Sequence, residues 1–221
     1  MIRILFKIGL LGAAAYLMNQ MRKPSRWLGR LFLKDMNRRH SKLTDWGIGH
    51  TQIGSQHAIL DVGCGGGRTL EKLAALAPQA NVTGVDYAAG SVAESRVRNA
   101  QLIVAGRVEV IRASVDLLPA SDGQFDLVTA IETHYYWPDT VKGLSEIRRV
   151  LRPGGTLLLI AEAYRGGRFD WVVRIAMTPL RAKYLTPEEH RSKLEDAGFI
   201  NVKVDTDESR GWICASGNAP G

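Results

Sequence analysis

The stretch AILDVGCGGGRTLEKLAALA, residues 58–77, decides the fold. Its first five residues are a compact apolar run stopped by glycines, and from Arg68 onward apolar residues recur at helical spacing. Glycines between a strand and a helix let the backbone turn tightly, approach a ligand closely and present helix N-terminal N–H groups. Two common loops are excluded. A G-x-G-x-x-G loop counted from Gly63 needs glycine where Arg68 stands, and no Gly-Lys-Ser/Thr follows for a phosphate-binding P-loop. Nineteen residues after Gly67, Asp86 closes the next apolar run. A carboxylate there accepts hydrogen bonds from both hydroxyls of a ribose, although an aspartate after a strand also serves as a turn or cap residue. Loop, helix and Asp86 together favour a nucleoside ligand.

Outward from this stretch the chain keeps alternating. VTGVD (82–86) precedes a helical stretch from Ser91 to Val104, VEVIRA (108–113) precedes a proline-containing loop, and FDLVTAI (125–131) precedes a helix from about Thr140 to Leu151. Pro153-Gly154-Gly155 is expected to break that helix before a buried strand at TLLLIAEA (156–163). Strands this apolar, separated by helices, imply a parallel sheet covered on both faces, an α/β doubly wound architecture. Thr186-Pro187-Glu188-Glu189 reads as an N-cap, a first-turn proline and an acidic first turn of a helix ending before Gly198. FINVKV (199–204) and GWICAS (211–216) then supply two last strands joined by DTDESR. Residues 164–185 interrupt the alternation and are expected to insert over the sheet's C-terminal edge, where open α/β sheets bind ligands.

The 221 residues, 45% hydrophobic and 23% charged, suit one globular domain and exclude disorder, collagen and coiled coil. Cys64 and Cys214 lie far apart without a second Cys or His at metal-ligand spacing, so neither a disulfide scaffold nor a metal site is indicated, and a reducing, cytoplasmic compartment is the default. The net charge of +7 is uneven: residues 1–50 carry ten basic side chains against two acidic ones, leaving the remainder at −1. A body without a basic face argues against a nucleic-acid footprint there. Residues 1–50 read as an apolar run, Ile8 to Met18, followed by a basic amphipathic helix in which Arg22, Arg26, Arg30 and Lys34 recur every four residues. The run is too short for the roughly 20 apolar residues of a spanning helix, and a signal peptide ending near Ala13-Ala14-Ala15 would export a domain whose expected nucleoside ligand is intracellular, so the favoured readings are helices capping the core of the domain at 51–221 or a peripheral membrane contact.

The motifs resemble those of the seven-stranded, class I S-adenosylmethionine-dependent methyltransferases, including small uncharacterised bacterial members. The family's acid-x-Gly-x-Gly-x-Gly is matched by Asp61, Gly63, Gly65 and Gly67, and its second-strand acid by Asp86. The resemblance continues through residues 107–130, through RRVLRPGGTLLL (148–159) and through YLTPEEHRSKLEDAGF (184–199), covering about residues 40–216. It implies S-adenosylmethionine as cofactor, with the glycine loop and Cys64 beneath the methionine moiety, Asp86 on the ribose and Tyr87 along the adenine. Ser114 and Val115 fall at the adenine edge, where the family usually has Asp followed by a small residue, and Ile131 borders the cofactor from the fourth strand. Ser114 departs from that pattern, which puts its adenine contact in doubt.

Methyl transfer from a sulfonium is an in-line displacement that needs alignment and exclusion of water, with a general base only where the acceptor requires one. The strand end Ile131-Glu132-Thr133-His134-Tyr135-Tyr136-Trp137-Pro138-Asp139 is the candidate acceptor side. His134 is the candidate base, its ordinary pKa of about 6.5 being close to working pH. Glu132 would orient a donor, and Tyr135 with its aromatic neighbours would wall the methyl site or contact a cation. The alternative is that these aromatics pack the next helix and His134 merely hydrogen-bonds. Upstream, Asn37, His40, Thr44 and Trp46 would close over the site, unless Trp46 packs in the core. The favoured acceptor is a small molecule of lipophilic character, given the apolar N-terminus and Phe169, Trp171, Val172, Val173 and Ile175 in the insertion. RNA or protein methylation, and cofactor binding without catalysis, are the competing readings.

Overall fold

The computed structural model describes residues 41–168, 170–171 and 183–221. The sequence readings for residues 1–40, including Asn37 and His40, and for Phe169, Val172, Val173 and Ile175 lie outside the described residues. The described chain runs α1 (Ser41–Ile48), β1 (Ile59–Val62), α2 (Arg68–Leu76), β2 (Val82–Asp86), α3 (Ala89–Arg98), α4 (Ala100–Val104), β3 (Val108–Arg112), β4 (Phe125–Ile131), a 3-10 turn (His134–Tyr136), α5 (Thr140–Val150), β5 (Leu151–Ala161), α6 (Pro187–Asp196), β6 (Ile200–Asp207) and β7 (Trp212–Asn218).

The strands form one seven-stranded sheet in the order β3-β2-β1-β4-β5-β7-β6. β1 to β5 pair in parallel, whereas β7 runs antiparallel to both β5 and β6, so the sheet is mixed. Strand side chains alternate between faces. Leu60, Val62, Val128, Leu157 and Leu159 pack with Leu144 and Ile147 of α5 and Leu194 of α6 on one face. Ile59, Val82, Leu127, Leu158 and Ile160 meet Leu43 of α1, Leu70 and Leu73 of α2 and Val92 of α3 on the other. Runs with no polar alternation are what a sheet buried on both sides requires.

The register carries the site. Ile59 pairs with Val82 and Val62 with Val85, which leaves Asp86 one residue beyond the end of β1, beside the loop that begins at Gly63. The stretch expected as one helix from Ser91 to Val104 is two helices, because Asn99 leaves helical geometry between α3 and α4. Pro153-Gly154-Gly155 does not terminate α5, which has already ended. It lies inside β5, where pairing jumps from Phe125 with Leu151 to Leu127 with Thr156 as an irregularity of the ladder. The last two strands extend to Asp207 and Asn218, leaving a shorter turn than DTDESR. At α6 the expectation holds: Thr186 and Glu189 form a reciprocal capping box around Pro187 in the first turn.

The described ends of the 164–185 segment meet the sheet's C-terminal end. Lys183 N–H donates to Tyr135 O at 2.9 Å, and Tyr164 packs with Tyr135 and Ile213. No helix among the described residues is long and apolar enough to cross a membrane. Leu158 is fully buried in the interior strand β5. Leu158→Ala is expected to cost about 2–5 kcal/mol of stability by the cavity it leaves, read as a lowered urea midpoint at an unchanged slope.

Candidate active site

The loop after β1 is built by three glycines in the left-handed region, Gly63 (φ 76), Gly65 (φ 53) and Gly67 (φ 76). The N–H groups of Gly63 and Cys64 both donate to Val85 O, at 2.7 and 3.0 Å, which pins the loop to β2. A Cβ on Gly63 would lie 2.1 Å from Thr133 Oγ1, so this position has neither the conformation nor the room for a side chain. Asp86 closes the arrangement: Oδ2 accepts the Gly65 N–H at 3.0 Å and Oδ1 the Ala88 N–H at 2.8 Å. Burial pushes the Asp86 carboxyl up from its ordinary value, and those amide bonds oppose the shift. Asp61, deeper in the strand, is pushed up to about 7 by burial, against the pull of the Thr129 hydroxyl, which donates to Oδ1 at 2.7 Å.

A cleft of about 300 Å³ opens above these groups. Of the residues read from the sequence, Asp61, Gly63, Cys64, Gly65, Asp86, Tyr87, Ser114, Val115, Ile131 and Glu132 line it together. Gly67 sits just behind, at the start of α2. The sequence reading had not singled out the outer rim, where Ser41 of α1 accepts from the Arg68 guanidinium at 3.2 Å and Lys72 pairs with Asp45. The spacing of Arg68 and Lys72 was a readable signal, since residues four apart share a helix face. Thr44 also lines the cleft, whereas Trp46 packs against Trp212 with ring centroids 5.8 Å apart.

The aromatic turn departs from expectation. Tyr136, Trp137 and Pro138 reach the cleft, but His134 and Tyr135 do not line it and are only 1% and 2% exposed. The cause is the 3-10 geometry of the turn, in which successive side chains point about 120° apart. Asp139 fixes where the turn ends by capping α5, its side chain accepting the N–H groups of Val141 and Lys142. The Tyr135 hydroxyl donates to Ala163 O at 3.1 Å, and Glu132 Oε1 lies 3.3 Å away. Glu132 holds a left-handed conformation (φ 57) that is rare without glycine, and its carboxylate accepts the Glu162 N–H. Strain of this kind at a cleft costs about 1–3 kcal/mol and persists only where the surroundings enforce it.

His134 faces α6. Its Nε2 lies 3.2 Å from Nε2 of His190, whose Nδ1 is 2.8 Å from Thr186 O. A carbonyl only accepts, so His190 carries its proton on Nδ1 and its Nε2 accepts from Nε2–H of His134. His134 Nδ1 is then an acceptor, and it has no partner among the described residues. Burial, reinforced by the His190 ring, holds His134 well below the usual imidazole range, and burial lowers His190 as well. The unfolded chain therefore takes up protons first: this contribution to stability is intact above about pH 6.5 and declines as pH falls below it. Asp61 acts in the opposite sense, since its raised pKa favours the fold towards acid. The difference between the wild type and His190→Leu isolates the share of His190 and of its contact with His134. Urea unfolding from pH 8 to 5 is expected to show a shallower acid decline in His190→Leu, and identical slopes would contradict the neutral pair.

Comparison with known proteins adds family context. A methyltransferase-domain family matches residues 59–155, from the start of β1 to the glycines inside β5. Over 119 residues the chain is 34% identical to the 27-O-demethylrifamycin SV methyltransferase of Amycolatopsis mediterranei, a match that spans 54% of this chain and 43% of the relative. It is 33% identical over 129 residues to cycloartenol-C-24-methyltransferase 1 of rice, spanning 58% of this chain and 36% of that protein. The chain thus covers less than half of either relative. Among solved structures, an S-adenosylmethionine-dependent methyltransferase of Thermotoga maritima superposes with a TM-score of 0.66 at 18% identity, covering 86% of this chain and 99% of that one. The phosphoethanolamine N-methyltransferase 2 of Haemonchus contortus reaches 0.71 at 16% identity over 82% of this chain and 53% of its own. At these identities the structural likeness speaks for the fold alone, while the matched sequence segment carries the glycine loop and Asp86. The matched segment is similar to a methyltransferase domain, and the described residues share the fold of these solved methyltransferases.

Proposed function

We propose that the protein transfers a methyl group from S-adenosylmethionine to a small-molecule acceptor of lipophilic character. The observation that carries this reading is the Asp86 carboxylate held at the tip of β2 by the Gly65 N–H, facing the same cleft as the glycine loop. The residues present suit the cofactor. About 300 Å³ falls in the range of small-molecule sites, an anchored carboxylate is the group a ribose diol needs, and Val85, Ala113, Val115 and Ile131 offer apolar walls for a flat base. Bound there, the cofactor supplies a methyl group activated by its sulfonium charge.

What remains for the chain is to bind, orient and exclude water. The glycine loop would seat the methionine portion, Asp86 the ribose, and Tyr87 with Val115 the base. Tyr136 and Trp137, rather than Tyr135, would wall the acceptor, and Glu132 would orient its reacting group, its carboxylate held by the Glu162 N–H. His134 would not serve as the base in this arrangement, because its ring is buried, neutral and turned to His190. The relatives named for 27-O-demethylrifamycin SV and cycloartenol support a lipophilic acceptor.

The test is to incubate the protein with methyl-labelled S-adenosylmethionine and a native cell extract and to identify the labelled product. A small-molecule product is expected, whereas label confined to RNA or protein would contradict the acceptor class. Asp86→Ala is expected to weaken cofactor binding by at least about a hundredfold, from loss of charge-assisted hydrogen bonds, as read by calorimetry. Glu132→Gln is expected to slow transfer by about 10- to 100-fold while leaving cofactor affinity within about threefold. Equal losses of both would move Glu132 to the cofactor side.

A further inference from the structure

The break between α3 and α4 lies directly behind the glycine loop. Asn99 ends α3 with φ −98 and ψ 17, and it is only 1% exposed. Its Nδ2 donates to Gly67 O at 2.9 Å and to Ser95 O at 3.0 Å. The preceding residue, Arg98, donates from Nε to Gly66 O at 3.1 Å, and its Nη1 lies 3.5 Å from Glu71 of α2. Two consecutive carbonyls of the loop are therefore held by two consecutive side chains of one helix end. The approach is close: a Cβ on Gly67 would lie 2.3 Å from Ser95 Oγ and 2.5 Å from Asn99 Nδ2. The contact also carries a cost, because Asn99 Oδ1 is buried without a hydrogen-bond partner. An apolar side chain would avoid that desolvation but leave Gly67 O with only the longer bond from the Glu71 N–H, at 3.4 Å.

A trans peptide directs its C=O and the following N–H to opposite sides. With Gly67 O tied to Asn99, the Arg68 N–H at the head of α2 faces away from α3. Gly65, Gly66 and Arg68 border the cleft, whereas Arg98 and Asn99 do not. We propose that Asn99 and Arg98 are positioning residues for the cofactor, which hold the glycine loop in its binding shape from behind without touching the ligand. The proposal rests on the assignment of that loop to S-adenosylmethionine.

The test pairs two variants. Asn99→Asp keeps the shape and removes the donor, and Arg98→Met removes the guanidinium, with Arg98→Lys as its conservative partner. Amide hydrogen exchange of the ligand-free protein reads the loop, and calorimetry with S-adenosylmethionine and S-adenosylhomocysteine reads binding. The lost hydrogen bonds are expected to speed exchange at Gly65 to Arg68 by about tenfold and weaken binding of both ligands by about tenfold in Asn99→Asp, with about threefold effects in Arg98→Met. Exchange in β4 should stay unchanged, and Arg98→Lys, which keeps the charge beside Glu71 but not the fork that also reaches Gly66 O, should fall between Arg98→Met and the wild type in both readouts. Wild-type exchange and affinity in the two disruptive variants would overturn the proposal. If Asn99→Asp does not fold, Arg98→Met decides alone, and its unchanged loop exchange overturns the proposal. If the wild type binds neither ligand, the cofactor assignment fails, while exchange at Gly65 to Arg68 still decides whether the two side chains hold the loop.

Discussion

Two backbone N–H groups, those of Gly65 and Ala88, converge on the carboxylate of Asp86, and the candidate site is organised around that convergence. The constraint begins in the sheet. Parallel pairing of β1 with β2 sets Val62 opposite Val85, so the chain leaves β1 one residue short of Asp86 and must turn back over it. Left-handed glycines allow that turn, and the carboxylate supplies the acceptor that the turned amide needs. A residue with a Cβ at Gly63 would meet Thr133, and one at Gly67 would meet Ser95 and Asn99, so the loop is bounded both by the turn after β4 and by the end of α3.

Electrostatics and strain concentrate at the same edge. Asp61 and Asp86 are both pushed up by burial, and each is partly rescued by hydrogen bonds from neighbouring groups. Glu132 pays for its left-handed backbone at the end of β4, where its carboxylate meets the Glu162 N–H across the sheet. Perturbed carboxyls and a strained backbone at one cleft are the features that mark a functional site rather than a packing core. The buried histidine pair contributes differently: it joins the aromatic turn to α6 and keeps both rings neutral.

Much of this was legible in the residues. The apolar runs at 58–62, 82–86 and 125–131 contain β1, β2 and β4 because strands buried on both faces leave an unbroken hydrophobic signal. Asp61, Gly63, Gly65 and Asp86 meet in one cleft because their spacing encodes a strand, a turn and a parallel return. Less was legible where three-dimensional packing overrides local pattern. Pro153-Gly154-Gly155 looks like a helix stop, yet it sits in β5 because the ladder absorbs it as an irregularity. In THYYWPD, composition points to an aromatic acceptor wall but not to its orientation. A single 3-10 turn sends Tyr136 to the cleft and turns His134 to a histidine 56 residues away. At the rim, the shared helix face of Arg68 and Lys72 is readable in their spacing, but the docking of α1 that brings Ser41 and Asp45 against them is reported by no window of sequence.

The most direct measurement is the amide spectrum of the protein titrated with S-adenosylmethionine. The account predicts saturable, one-site shifts concentrated at the residues from Gly63 to Gly67 and at Asp86 to Ala88, with no comparable response to a nicotinamide dinucleotide. A spectrum that stays unmoved by the sulfonium ligand, or moves only for the dinucleotide, would contradict it.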